Sequence, residues 1–259
     1  MTLDLAQWAQ QSQGLLWQGL IVLLRIGAMM ALLPAFGEKS VPLRVKLGLT
    51  LAFGAIVVPA VSATIAPPQG GTAAIAACGA EVVAGLFFGA AVRMLVLALE
   101  MAGTIAAQST SLSQLFGGTA GADPQPALGQ ILLVGGLALA ALLGLHVRLA
   151  AYMIESYRLV PAGTMIAGRV VSEVGLAEVG RAFGLAFTLS APFALAALIY
   201  NVTLGVINRA MPQLMVAFIG APAITLGAMG LMLLAAPLAL SVWSDALYHF
   251  LAAPFGQGP

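Results

Sequence analysis

Charge is what this chain has least of. Lys, Arg, Asp and Glu make up 7% of its 259 residues, whereas 61% are hydrophobic and the mean hydropathy is +1.04. A soluble domain carries roughly a quarter charged residues, so this set excludes a water-covered globule and requires lipid or protein over most of the outside. Ten basic and nine acidic side chains nearly cancel, which removes the electrostatic case for nucleic acid or a strongly anionic ligand. The one cysteine, Cys78, excludes an internal disulfide and, among small apolar neighbours, reads as a packing residue. Two histidines, His146 and His249, cannot assemble a metal set, and His-Glu-x-x-His, Gly-x-Ser-x-Gly and the phosphate-binding Gly-Lys-Ser/Thr are all missing. The carboxylates lack the paired spacing of acid–base chemistry. An enzyme, a metal or a cofactor is therefore not expected. Nor does Met1-Thr-Leu-Asp-Leu offer the basic start of a cleaved signal, and the apolar stretch after it runs past Arg25 without a clear cleavage site, so the first helix is expected to be retained.

What the chain has in excess is apolar runs long enough to cross a bilayer, about 20 residues each. They predict an all-α integral membrane protein with about six hydrophobic helical segments, packed as hairpins. The first is Leu15 to Leu33, with Arg25 inside; the second, about Leu47 to Ala66, ends at Pro67-Pro68-Gln69-Gly70-Gly71. The third, about Ala74 to Ala98, carries Glu81 and Arg93, and the fourth, Leu128 to Val147, is clean. Ala182 to Asn208 and Ala210 to Ser244 form a hairpin whose tight polar turn runs from Asn208 and Arg209 through Pro212 to Gln213. Pro34, Pro59, Pro192, Pro222 and Pro237 predict kinked or broken helices. Between Arg148 and Arg181, Ile166, Val170, Val174 and Ala177 recur at spacings of three and four, which predicts a further helix, lying at the membrane surface or solvated between domains.

Orientation strains the simple picture. Lys39, Arg44 and Lys46 place the first loop in the cytoplasm, yet strict alternation then puts Arg148, Arg158, Arg169 and Arg181 outside. Either the third segment is re-entrant or the helices do not cross a bilayer conventionally. Arg25, Glu81, Arg93 and Glu100 lie in or beside apolar helices, where a central charge costs about 2.5–3.5 kcal/mol. Arg93 and Glu100 share a helix face, and Glu81, Gly85, Gly89 and Arg93 step along a stripe that must face something polar. Ion pairs fixing helix register within an assembly account for these residues better than a transport relay, which would want more carboxylates. Gly85 with Gly89, and Gly180 with Gly184, have the spacing for close backbone approach.

Several stretches together resemble the FliR family of export-gate subunits in bacterial flagella and their counterparts in virulence-type secretion machines. They are Arg25-Ile-Gly-Ala-Met-Met-Ala-Leu-Leu-Pro34-Ala-Phe-Gly37 with Val41-Pro42-Leu43-Arg44-Val45-Lys46; Glu100-Met-Ala-Gly103 leading to Asp123-Pro124; and Asn208-Arg209-Ala-Met-Pro212-Gln213. The last looks closer to the flagellar branch. The resemblance implies a bacterial inner-membrane subunit of the flagellar basal body, held in a hetero-oligomer with FliP-like and FliQ-like subunits, in contact with FlhB-like and FlhA-like components, and conducting unfolded flagellar proteins. It implies a FliP-like part over 1–157, a charged connection over 158–173 and a FliQ-like hairpin over 174–259, set partly above the membrane plane. Arg25, Glu81, Arg93 and Glu100 would then be buried assembly residues facing neighbouring subunits. The loop 108–121 looks like the family's plug: Gly117, Gly118 and Gly121 loosen its backbone, and Leu112, Leu115 and Phe116 supply apolar bulk to block a conduit. Two other readings compete, the equivalent subunit of a virulence-type system and a small-solute secondary transporter. The transporter lacks symmetric halves and ionisable groups.

Overall fold

An apolar segment with no water to bond its peptide groups closes its hydrogen bonds internally, and a single chain does that by helix. The computed structural model describes residues 2–38, 41–68, 70–111, 127–211 and 216–256, and among them the regular structure is entirely helical. Seven α-helices follow in order: α1 Thr2–Leu32, α2 Leu43–Val61, α3 Gly71–Ser111, α4 Ala127–Leu142, α5 Leu145–Leu159, α6 Gly168–Ala210 and α7 Val216–Ala252. Short 3-10 turns sit at Ser62–Thr64 and Pro254–Gly256. Five helices are long and apolar enough to cross a membrane, six if the broken pair α4 and α5 counts as one span.

The elements depart from the sequence expectations in four places. The third segment continues through Glu100 to Ser111, because polar side chains interrupt hydropathy without interrupting a helix rich in alanine. The fourth, charge-free over 128–147, is not one continuous helix: it breaks at Leu143-Gly144, where Gly144 takes φ 84, a conformation cheap only for glycine. No separate surface helix precedes the fifth segment, since 168–181 forms the opening turns of a single 43-residue α6. Pro59 and Pro192 lie inside continuous helices rather than breaking them, and Pro34 stands just beyond α1.

The chain packs as two compact units. One comprises Met1–Met94, Gly144–Glu178 and Tyr248–Pro259. Its core is one face of α1 (Ile21, Val22, Ile26, Met29, Met30) against Ala84, Phe88 and Val92 of α3 and Leu149, Tyr152 and Met153 of α5. Phe87, Phe88, Tyr152, Phe250 and Phe255 form a ring cluster with centroids 5.4–5.9 Å apart, the range favoured by edge and offset contacts. The Tyr152 hydroxyl donates to the Phe88 carbonyl at 3.0 Å.

The other unit comprises Leu95–Leu143 and Val179–Leu247. It is centred on Trp243, fully buried, whose indole N–H donates to the Leu95 carbonyl at 2.8 Å. Glycine makes room for it: a Cβ on Gly136 would stand 2.5 Å from Leu99 and 3.3 Å from the Trp243 ring. Gly103 likewise lies against the backbone of Gly129.

Close helix approach in the first unit rests on Gly85, whose added Cβ would collide with the Arg25 carbonyl and lie 2.7 Å from the Ala28 Cβ. Gly48, exposed within α2, has nothing within 4 Å. Gly85→Ala should therefore cost about 1–3 kcal/mol through forced backbone displacement, whereas Gly48→Ala should gain up to about 1 kcal/mol from helix propensity. Unfolding the two purified variants in mixed detergent–SDS micelles measures both signs; equal effects would contradict this packing.

Candidate functional site: the charged residues of the apolar helices

Glu81, Gly85, Gly89 and Arg93 share one face of α3, and each meets α1 or the loop after it in matching order. Glu81 binds Arg25; Gly85 touches Arg25 and Ala28; Gly89 lies beside Met29 and Leu32; Arg93 pairs with Glu38. Numbers rise together on both segments, so α1 and α3 run side by side in the same direction. An ion pair closes each end of this seam, and two glycines between them let the backbones touch. The stripe does face something polar, and its partner is the same chain.

The inner pair is wholly buried, with both side chains at 0% exposure. Arg25 donates from Nε to Glu81 Oε2 at 2.7 Å and from Nη2 to Oε1 at 3.0 Å, the bidentate fork that guanidinium and carboxylate geometry favours. Its Nη1 donates to the carbonyls of Ser156 at 3.0 Å and Val160 at 2.9 Å, so the cation also caps the C-terminus of α5. Glu81 accepts in addition from the Gly163 amide at 2.7 Å and the Tyr157 hydroxyl at 3.3 Å. Tyr157 covers the guanidinium at 3.8 Å from its ring centroid. Gly163 reaches Glu81 with φ 74, which suits glycine alone. One arginine and one glutamate thus tie α1, α3, α5 and the loop after α5, with nearly all their bonding capacity used.

The outer pair, Arg93 with Glu38, is about 30% exposed on both sides. It fastens the loop Leu33–Gly37, whose shape the sequence stretch Leu-Pro34-Ala-Phe-Gly37 sets. Ala35 takes φ 65, the Gly37 amide donates back to the Leu33 carbonyl at 2.6 Å, and Lys46 Nζ caps the Gly37 carbonyl at 2.9 Å. A Cβ at Gly37 would stand 2.6 Å from the Ala31 carbonyl oxygen, so no larger residue fits. Phe36 packs edge-on against Phe53 of α2.

Glu100 differs from both. It is half-buried on α3, and no hydrogen bond or ion pair reaches its carboxyl among the described residues. Arg25 and Glu81, by contrast, meet each other and not a neighbouring subunit. Sequence reasoning missed Glu38, Tyr157 and Gly163 as partners in these pairs; none carries a local signal, because each acts across more than fifty residues of chain. Gly180 and Gly184, unlike Gly85 and Gly89, have open space around them. Asn208 and Arg209 stand exposed in the last turn of α6, while Pro212 and Gln213 lie outside the described residues, as do Leu112, Leu115, Phe116, Gly117 and Gly118. Among the described residues no three of His, Cys, Asp and Glu gather where they could hold a metal.

The residues that build this seam fall within the span, 16–250, that matches the family described as bacterial export proteins, family 1. The chain belongs to that family. It is also 28% identical over 229 residues to the flagellar biosynthetic protein FliR of Caulobacter vibrioides, covering 87% of this chain and 90% of that protein. Membership makes this multi-pass membrane protein a component of a bacterial export apparatus, and within it the Arg25–Glu81 seam holds the first unit in register.

Breaking a buried pair strands its partner, at about 3–5 kcal/mol. Arg25→Met and Glu81→Met should each lose that much, and the double variant should recover most of it. Detergent–SDS unfolding of the four proteins forms the cycle; additive losses in the double variant would contradict the clasp.

Proposed function

We propose that this chain is a core subunit of the flagellar type III export gate in the bacterial inner membrane, at the basal body, where it helps form the conduit for unfolded flagellar proteins. The observation that carries this reading is a mismatch between helix length and membrane thickness. Helices α3, α6 and α7 hold 41, 43 and 37 residues. At 1.5 Å per residue they measure about 55–65 Å, roughly twice the hydrocarbon core of a bilayer. Fitting the longest within that core would take a tilt of about 60°, beyond the 0–40° that spanning helices show.

On α6 the exposed apolar surface nevertheless runs from Val170 and Leu176 to Val206 and Ile207, about 55 Å of helix. On α6 no residue past Ala197 is buried, and Leu198, Ile199, Val202 and Val206 are each about 60% exposed or more. On α7, Leu226, Leu233, Leu234 and Leu238 are exposed at 68–81%. Burying such a side chain is worth about 1.5–3 kcal/mol, and lipid cannot reach the whole length. Other protein chains therefore cover part of it. The reading assigns that role to FliP-like and FliQ-like subunits, with FlhB-like and FlhA-like components adjoining. It takes 1–157 as the FliP-like part, 158–173 as the charged connection and 174–259 as the FliQ-like hairpin.

The loop 108–121 is the plug in this proposal. Support comes from its composition, with Leu112, Leu115 and Phe116 beside Gly117 and Gly118: apolar bulk to exclude water, on a backbone free to move aside.

Mild-detergent purification of the tagged chain from its native locus tests the assembly. Mass spectrometry should find unlike, FliP- and FliQ-like membrane proteins in one stable particle; recovery of a symmetric homo-oligomer alone would sink the gate reading. Deleting Leu115–Gly118 should leave that particle intact and make the membrane leaky to ions. Unchanged conductance would remove the plug assignment.

A further inference from the structure

Among the described residues, glutamates hold an arginine at 2.5–3.0 Å at Glu81 with Arg25, Glu38 with Arg93, Glu155 with Arg158 and Glu173 with Arg169. Glu100 holds none among the described residues. It sits in the apolar span 71–109, half-buried, with its own peptide carbonyl taken by the Thr104 hydroxyl at 2.9 Å. Three residues on, Gly103 is pressed against the backbone of Gly129, so α3 is closely packed at this level. A carboxylate in such a place costs several kcal/mol unless paired. The unit that contains it has few cations of its own to offer, only Arg181 and Arg209 among its described residues. Arg181 already has an interaction, and Arg209 lies in the exposed last turn of α6.

We infer that Glu100 is an intersubunit anchor, a carboxylate presented on α3 to an arginine or lysine side chain of an adjacent, unlike membrane subunit. The inference rests on the gate reading, since it needs unlike neighbours. Charge complementarity selects the occupant. A lipid tail or an apolar helix would leave the anion buried without a counter-charge, whereas a basic residue neutralises it and satisfies its oxygens. Both glutamates of the span 71–109 then meet a cation, Glu81 within the chain and Glu100 across an interface. The polar step at Glu100 also sets the axial register between subunits, because an apolar face can slide but a single charge pair cannot.

The test uses the full chain in native membranes, with a benzophenone amino acid at position 100. Irradiation should join it to one unlike subunit, at a peptide that contains a lysine or arginine. Glu100→Lys should lower co-purification of that subunit about tenfold or more, equivalent to at least about 1.4 kcal/mol. Replacing the crosslinked basic residue by glutamate should restore it. In the wild-type particle a water-soluble carbodiimide should leave Glu100 unmodified. Crosslinking only to lipid or to this chain, wild-type assembly of Glu100→Lys, failure of the exchanged pair to recover, or carbodiimide labelling of assembled Glu100 would each overturn the anchor; the labelling would mark a water-lined face instead. If unlike subunits are recovered but position 100 touches none, the anchor alone falls. If the wild-type preparation holds no unlike subunit, the gate reading falls with it.

Discussion

A buried charge in an apolar protein has to be answered, and the answer given to Arg25 organises the first unit. Its guanidinium is completely enclosed, so every donor it turns inward must find an acceptor. Glu81 supplies two, and the end of α5 supplies two more through Ser156 and Val160. That requirement fixes three helices against one another more sharply than apolar contact could, since apolar faces tolerate slippage by a turn. The glycines at 85 and 89 follow from it. Only with α1 and α3 in backbone contact does the short Glu81 side chain reach Arg25 in a bidentate grip.

The same physics works outward. Helices of 37–43 residues, α6 with exposed apolar side chains from Val170 to Ile207 and α7 with them from Leu226 to Val242, are unfinished surfaces. In water they would aggregate; in a bilayer a large part of each would project beyond the hydrocarbon. A subunit of a larger helical assembly resolves both problems, and membership in an export-protein family says what kind of assembly that is. The charge scheme fits a subunit too: the pairs that must form before assembly are made inside the chain, at Arg25–Glu81 and Arg93–Glu38.

Much of this was legible beforehand, and what was not has identifiable causes. Helical membrane character follows from composition, and the stripe Glu81-Gly85-Gly89-Arg93 is visible as a helical face requiring a polar partner. The partner was not visible, since Arg25 and Glu81 are 56 residues apart and periodicity carries no information about which face meets which. Boundaries failed where hydropathy and helicity part company. Gly175, Gly180 and the charges of 169–181 end an apolar window, but no proline interrupts the chain from Ala162 to Ala191, so α6 simply continues. Gly144 shows the converse. It resembles Gly135 and Gly136 in sequence, and only the structure reveals that it alone is left-handed. The plug and the hairpin turn at Pro212-Gln213 stay at the level of composition and family likeness, outside the described residues.

The central claim is that protein, not lipid, covers part of the apolar surface of α6 and α7. Spin labels at Leu198 and Leu233, placed singly in a chain carrying Cys78→Ser, measure this through their accessibility to oxygen, which dissolves in lipid. In the particle purified from native membranes both labels should be shielded, and in the chain reconstituted alone both should be open. Equal, high oxygen accessibility at both positions in the two preparations would mean that α6 and α7 are solvated by lipid, and the account of this chain as a subunit completed by its neighbours would be wrong.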